Sequence, residues 1–136
     1  MRDPHLKILN ILQVMAEAVP AEFRGRLAAA VVHRNEIISF GVNQMKSHPF
    51  QRQYSSNEES IYLHAETDAI KNALKKHDIK TIAKSKLYIC RVKYDNEFGR
   101  TLQWGLSKPC AGCQKAIATF NIKHVCYTTD DGYDWL

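Results

Sequence analysis

The sequence predicts an α/β domain in which a mixed β-sheet is covered by helices, and three observations carry that expectation. Two short apolar runs flank a polar turn at residues 33–35 and read as a β-hairpin. Two later apolar runs are each preceded by a stretch of helical periodicity, the pattern that makes a mixed sheet packed against helices. An amphipathic stretch near the N-terminus has the spacing of a helix laid on a core. After that first helix the expected order is β-β-α-β-α-β.

From about His5 to Val19, Leu6, Leu9, Leu12, Met15 and Val19 recur at three- or four-residue spacing, and Ile8, Ile11 and Val14 widen the stripe. Pro20 stops the helix. The hairpin strands are Leu27–Val32 and Glu36–Val42, joined by His33, Arg34 and Asn35. Ala28, Ala29 and Ala30 are small enough to admit a helix or a bound base close to the strand, although alanine alone favours helix. Gln44 to Ser60 is polar, and a loop of that length inside a compact domain tends to be functional. It is expected to shape a pocket or cover it, with His48 read as an exposed loop histidine in preference to a ligand for a phosphate or a second metal.

A helix of about three turns opens at His64, with Ala65, Ala69, Ile70, Ala73 and Leu74 as its apolar face and His77 and Asp78 at its frayed end. Lys71, Lys75, Lys76 and Lys80 read as its solvated face. Lys86–Val92 is a buried strand, and Tyr94–Ser107 a polar connection whose Trp104 either covers one wall of the pocket or packs beneath the loop, the packing role being favoured. A helix from Cys110 to about Phe120 and a strand at Lys123–Thr128 complete the series.

The 136 residues, 45% hydrophobic and 24% charged, suit one compact domain spanning 1–136 and exclude a disordered chain. No apolar run reaches the length of a membrane span. Lys7, Asn10, Gln13 and Glu17 interrupt any secretory apolar core, so a cytoplasmic protein without membrane partners is expected. The net charge of +5 favours an anionic partner, a nucleotide phosphate or a polynucleotide. The four cysteines should stay reduced, with Cys90 and Cys126 packed in the core.

Chemistry concentrates in His64-Ala65-Glu66 and Pro109-Cys110-Ala111-Gly112-Cys113. One histidine and two cysteines offer three ligands, which suits a tetrahedral zinc whose fourth position stays open, as in catalytic sites. Both segments begin helices, whose N-terminal dipoles stabilise thiolates and developing negative charge. Residues two apart do not share a helix face, so His64 and Glu66 converge only because they lie in the first turn. A structural staple would need a fourth ligand, with His124 or Cys126 nearest in sequence, and a Cys-x-x-Cys alone also fits a redox pair.

Together the two motifs resemble the zinc-dependent cytidine and deoxycytidylate deaminase superfamily. The resemblance runs from roughly Leu27 to Thr128. It implies the three-layer cytidine deaminase-like fold, one zinc per chain held by His64, Cys110 and Cys113, and Glu66 as the catalytic proton carrier. It also implies substrate contacts at Ala65 and at Asn43, because superfamily members often follow the hairpin with a Gly-x-Asn whose amide meets the substrate sugar. The alternative for Asn43 is an asparagine that only caps the strand. The chain ends about eight residues after Thr128. That short C-terminus leaves little room for a fifth strand or the terminal helices of larger members. A bare sheet edge is a liability that association between copies can cover, so a homo-oligomer is expected.

Histidine at the first zinc position resembles the deoxycytidylate, riboflavin-pathway and tRNA-adenosine branches more than free-cytidine deaminases. The segments Thr67-Asp68-Ala69-Ile70 and Cys113-Gln114-Lys115-Ala116-Ile117 are most similar to the deoxycytidylate branch. Asp68, where that branch commonly carries Asn, and Gly41-Val42-Asn43-Gln44, where it carries Gly-Tyr-Asn-Gly, depart from it. The resemblance therefore implies a zinc-dependent hydrolase that converts a cytosine nucleotide, first of all dCMP to dUMP, with release of ammonia. A tRNA or single-stranded DNA deaminase acting on cytosine or adenine, and a non-catalytic zinc-binding interaction module, are the competing readings.

Overall fold

The computed structural model describes residues 3–20, 26–44, 64–94 and 102–136. In chain order these form helix α1 (Pro4–Glu17), strands β1 (Arg26–His33) and β2 (Glu36–Val42), and helices α2 (Ala65–Leu74) and α3 (Ile79–Ala83). Strands β3 (Lys86–Tyr94) and β4 (Leu102–Gly105), helix α4 (Ala111–Thr119), and strands β5 (His124–Thr129) and β6 (Gly132–Trp135) follow. The expectation for the 44–60 loop, His48 included, falls on residues 45–63, outside the described residues.

Side chains alternate across a strand, and this alternation sorts the interior into two cores. Ala29 and Val31 of β1 and Leu87 and Ile89 of β3 face α2, α3 and α4, packing with Ala65, Ala69, Ile70, Ile82 and Ile117. Ala28, Ala30 and Val32, with Tyr88, Cys90 and Val92, face α1 and pack on Ile8, Leu9, Leu12 and Ala16. The result is three layers, with α1 alone on one face of the sheet. Leu9 and Leu12 are fully buried, and each such leucine stabilises by about 1.5–3 kcal/mol, so α1 belongs to the fold. Its stripe is narrower than expected: Leu6, Ile11 and Val14 are exposed.

The sheet runs β2-β1-β3-β5-β6, with β4 also pairing β3. The hairpin turn takes positive φ at Arg34 and Asn35, 52° and 67°. This is the two-residue turn whose twist matches the flanking strands and which Asn tolerates well. β3 and β5 are parallel, and every other pairing is antiparallel.

Two elements correct the sequence reading. The connection 94–107 contains β4, and the C-terminal stretch forms β6, which pairs antiparallel with β5 and occupies the edge that the short C-terminus was expected to leave bare. The case for self-association from a missing edge strand loses its ground. Helix α2 also ends at Leu74, and a separate turn of helix, α3, starts after Asp78, whose side chain accepts from Thr81 N–H. Trp104 packs on the α1 face, where its indole N–H donates to Gln13 at 2.8 Å, in agreement with the packing role assigned to it.

Because β3 pairs β5 along its first half and β4 along its second, the ladder changes partner near Arg91. Two buried hydroxyls bridge the change. Thr128 Oγ1 accepts from Arg91 N–H (3.1 Å) and donates to Gly105 C=O (2.8 Å). Ser107 Oγ accepts from Thr128 N–H (2.8 Å) and donates to Ile89 C=O (3.1 Å). Each hydroxyl thus has a donor and an acceptor, as a buried polar group requires. The chain leaving β4 is fixed at Ser107, three residues before Cys110.

Candidate active site

Small residues let α2 settle onto the hairpin. Gly41 of β2 lies opposite Ala29 of β1. A Cβ at Gly41 would overlap Ala69 N and Ala65 O and stand 2.8 Å from Asp68 C, so the helix backbone occupies the space a side chain would take. Hydrogen bonds stitch the contact: Ser39 Oγ donates to Ala69 C=O (2.8 Å), Asn72 Nδ2 to Phe40 C=O (2.8 Å), and Val42 N–H to Asp68 (3.1 Å). The expectation that small residues in the hairpin admit a helix is met, with Gly41 as the point of closest approach.

His64 is the N-cap of α2 and Cys110 the N-cap of α4, both in extended conformation and without a side-chain cap bond. The two helix starts face one another. His64 Nδ1 lies 3.2 Å from Cys113 Sγ and 3.6 Å from Cys110 Sγ, and all three ligand atoms fall within 4.8 Å of one another. Tetrahedral zinc, with Zn–S about 2.3 Å and Zn–N about 2.0–2.1 Å, sets its ligand atoms about 3.5–3.8 Å apart. The donor set and its spacing fit that ion. Among the described residues the metal-capable cluster is these three. His124 is exposed, and Cys126 is buried in the α1-facing core, so neither candidate fourth ligand joins it.

The environments of the two thiols pull their acidities apart. Hydrogen bonds with Cys113 and His64 hold the Cys110 thiol down to about 3, while its bond with Cys110 and its burial push Cys113 up. His64 is raised, chiefly by its bond with Cys110 and against its own burial. Cys90 and Cys126, packed in the core as expected, are pushed up to about 12 by burial and are inert by comparison.

Glu66, in the first turn of α2, is 4% exposed. Burial raises its carboxyl above the usual carboxylate range, opposed by its own backbone N–H and by the His64 charge. A cavity of about 320 Å³ opens over these groups, lined among the described residues by His64, Ala65, Glu66 and Cys110 together with Leu27, Asn43, Arg91, Leu106, Ser107 and Lys108.

Each candidate residue of the sequence therefore reaches one place: the three ligand candidates meet, and Glu66, Ala65 and Asn43 line the same cavity as they do. Asn43 has a structural duty there, since its Oδ1 accepts from Leu27 N–H at 2.8 Å and closes the end of the hairpin. The lysine stretch stays on the outside: Lys71 pairs with Asp68 at 3.3 Å, and Lys75, Lys76 and Lys80 are exposed. Sequence reasoning missed Arg91, Ser107 and Lys108. Arg91 follows Leu87 and Ile89 at every second position and so shares their face, a period-two signal that would have found it.

If the cluster holds zinc, Cys110→Ala is expected to abolish stoichiometric zinc and to remove the rise in Tm that zinc gives the native chain, because metal affinity at such a site is also folding stability. Metal analysis and paired melting curves with and without zinc read both effects. Full zinc content in the variant would remove Cys110 from the ligand set.

The profile of the cytidine and deoxycytidylate deaminase zinc-binding region matches residues 3–129. Among solved structures, the dCMP deaminase of the cyanophage S-TIM5 in apo form is similar at 20% identity and a TM-score of 0.63, covering 95% of this chain and 86% of that one. The same enzyme in complex with dCMP and dUMP gives 22% identity and a TM-score of 0.61, over 95% and 85%. A diaminohydroxyphosphoribosylaminopyrimidine deaminase/5-amino-6-(5-phosphoribosylamino)uracil reductase from Thermotoga maritima gives 21% identity and a TM-score of 0.56, over 93% of this chain and 30% of that one. No curated protein sequence matches. At these identities the structures speak for the fold, while the profile, which spans nearly the whole chain and contains both ligand segments, speaks for the family. The chain belongs to the cytidine and deoxycytidylate deaminase family defined by that zinc-binding region.

Proposed function

We propose that this chain hydrolyses the exocyclic amine of a cytosine nucleotide, first of all dCMP, to the uracil counterpart with release of ammonia. The observation that carries this reading is the convergence of two helix starts, which puts one imidazole and two thiols in zinc geometry beside a buried carboxyl at the wall of a cavity. His64, Cys110 and Cys113 would hold one zinc, which when bound activates a water at neutral pH. Glu66 takes one proton from this water and delivers it to the ring nitrogen, then takes the second from the hydroxyl now on the ring carbon and passes it to the amine as it leaves. Water is consumed, the C–N bond breaks, a C–O bond takes its place, and no oxidant or reductant is needed. Asn43 is placed at the sugar and Ala65 against the base, on the strength of their position in the cavity wall.

The four cysteines are unpaired, two of them set at the metal cluster. That usage suits a reducing compartment and supports a cytoplasmic setting. Among the described residues no helix is long and apolar enough to cross a membrane.

Ammonia release from dCMP, CMP, dCTP, deoxycytidine, cytidine, adenosine, guanine and short single-stranded DNA tests the reading directly. A cytosine mononucleotide is expected to be turned over fastest, with weak salt dependence, because a single phosphate makes only one or two charge contacts. Preference for a polynucleotide, with affinity falling steeply in salt, would move the assignment to nucleic-acid deamination. A zinc-loaded chain with no turnover of any base would reduce it to a binding module.

A further inference from the structure

We propose that Arg91, seconded by Lys108, is the specificity-determining residue of this site: its guanidinium takes the phosphate of the nucleotide, so the chain selects a phosphorylated cytosine nucleoside over the free nucleoside. The inference rests on the deaminase reading above and names the chemistry that this chain's own β3–β4 arrangement adds to it.

At the level of Arg91 the sheet presents one row of residues along the lip of the cavity. Leu27 of β1 is opposite Arg91, and Arg91 is opposite Gly105 of β4. Asn43 continues the row beyond Leu27, tied to it by Asn43 N–H to Leu27 C=O (3.3 Å) and by Leu27 N–H to Asn43 Oδ1 (2.8 Å). Neighbouring strands lie about 4.8 Å apart, so the backbones of Asn43 and Arg91 are about 10 Å apart across the row. A sugar at Asn43 and an arginine reaching back from Arg91 close that gap with one phosphate between them.

Arg91 has the unused donors for this. Its stem and that of Lys93 lie over Gly105, where a Cβ would stand 3.1 and 3.3 Å from Lys93 carbons and 3.4 Å from Arg91 Cδ, so the absent side chain is what lets both stems lie there. Arg91 Nη1 makes only a long bond, 3.4 Å, to Leu106 C=O. Its Nε is buried, with no hydrogen-bond partner among the described residues. A guanidinium carries five N–H donors in a fixed fork that matches phosphate oxygens two at a time, so this cation lacks the acceptors it is built for. Asp130, in the turn after β5, is paired with Lys93 at 2.9 Å. Among the described lining residues, the cations with side chains not assigned to the metal are Arg91 and Lys108, and the one carboxylate is Glu66. With Glu66 assigned to the base, no other described lining carboxylate answers these two cations, and Lys108 adds a point charge where Arg91 provides the fork.

The test compares the zinc-loaded wild type with Arg91→Gln and Arg91→Lys, using equilibrium binding of dCMP and deoxycytidine alongside kcat and KM for both and for short single-stranded DNA. Arg91→Gln keeps a long polar side chain and loses the charge, and Arg91→Lys keeps the charge and loses the fork. For the wild type, dCMP should bind about ten- to a hundredfold tighter than deoxycytidine, the range expected of charge-assisted hydrogen bonds. Arg91→Gln should erase that ratio through KM and Kd for dCMP, leaving kcat and the deoxycytidine constants nearly unchanged, and Arg91→Lys should restore part of it. Equal losses on dCMP and deoxycytidine would make Arg91 a structural residue and overturn the proposal, as would an unchanged dCMP preference. A loss confined to the single-stranded DNA substrate would assign the contact to a polynucleotide backbone and overturn it for the mononucleotide. If no cytosine compound is turned over while Arg91→Gln still abolishes preferential dCMP binding, the deaminase reading fails and the phosphate site stands.

Discussion

Glu66→Gln is expected to retain one zinc per chain, melt close to the wild type, and lose about 10⁴-fold in kcat on the preferred substrate, the upper end of what a general acid-base residue contributes. The magnitude follows from the number of proton transfers assigned to one carboxyl: two taken up, from the water and from the hydroxyl it becomes, and two delivered, to the ring nitrogen and to the departing amine. Few other groups at the cavity can stand in. Of the described side chains that line it, Asn43 and Ser107 have no useful acid-base range, Arg91 stays protonated, and Lys108 is the one remaining titratable group besides the ligand set. The amide of glutamine fills the same volume and forms hydrogen bonds but carries no transferable proton. A buried carboxyl is also a burden on folding, and Glu66 is 4% exposed, so a neutral isostere should not lower stability. Zinc analysis, kcat and Tm separate the three effects. If the variant kept most of the wild-type turnover with zinc bound, the proton carrier would have to be another group, while the fold and the metal cluster would be untouched.

Legibility in the sequence followed the range over which each signal acts. His64, Glu66, Cys110 and Cys113 were legible because helix starts bring short-range motifs together: a ligand at an N-cap needs only the first turn after it to be helical. The strands of the central sheet were legible because runs such as Leu87–Val92 are buried on both faces. Strands β4 and β6, four residues each, were not, since a strand that short owes its existence to a partner elsewhere in the chain. Leu102–Gly105 forms only because the second half of β3 has no β5 beside it, and Thr128 and Ser107 cover the change of partner. The start of α3 at Ile79, after α2 has ended at Leu74, turned on Asp78 acting as an N-cap, where the sequence suggested only a frayed end. In the sequence Arg91 was one residue of the Lys86–Val92 strand and carried no role of its own. Its meaning depends on Gly105, fourteen residues later, and that relation exists only in the folded sheet.

Gly41→Ala is expected to be among the most damaging single substitutions available outside the metal cluster, although it adds one methyl group and touches no candidate ligand. The added Cβ would meet backbone, the N–H of Ala69 and the C=O of Ala65, which in an α-helix are hydrogen-bonded partners four residues apart. Backbone atoms cannot swing aside as a side chain does, so either β2 or the first turn of α2 must move. Overpacking of this kind costs about 1–3 kcal/mol, and here the strand and helix are also held together at Ser39, Phe40 and Val42. The helix start that shifts carries His64, Ala65 and Glu66, whereas Cys110 and Cys113 stand on α4 and stay behind. Misplacing reacting groups by about 1 Å can cost 10²-fold in rate. The expected result is a lower Tm, weaker zinc retention and a fall in kcat of about that size. Gly105→Ala gives the contrast: its nearest neighbours are carbons of the Lys93 side chain, at 3.1 and 3.3 Å, which can give way. It should therefore melt much closer to the wild type and keep its zinc. A Gly41→Ala variant with wild-type Tm, zinc and kcat would mean that α2 does not rest on β2 as described, and the placement of His64 and Glu66 against the two cysteines would lose its support.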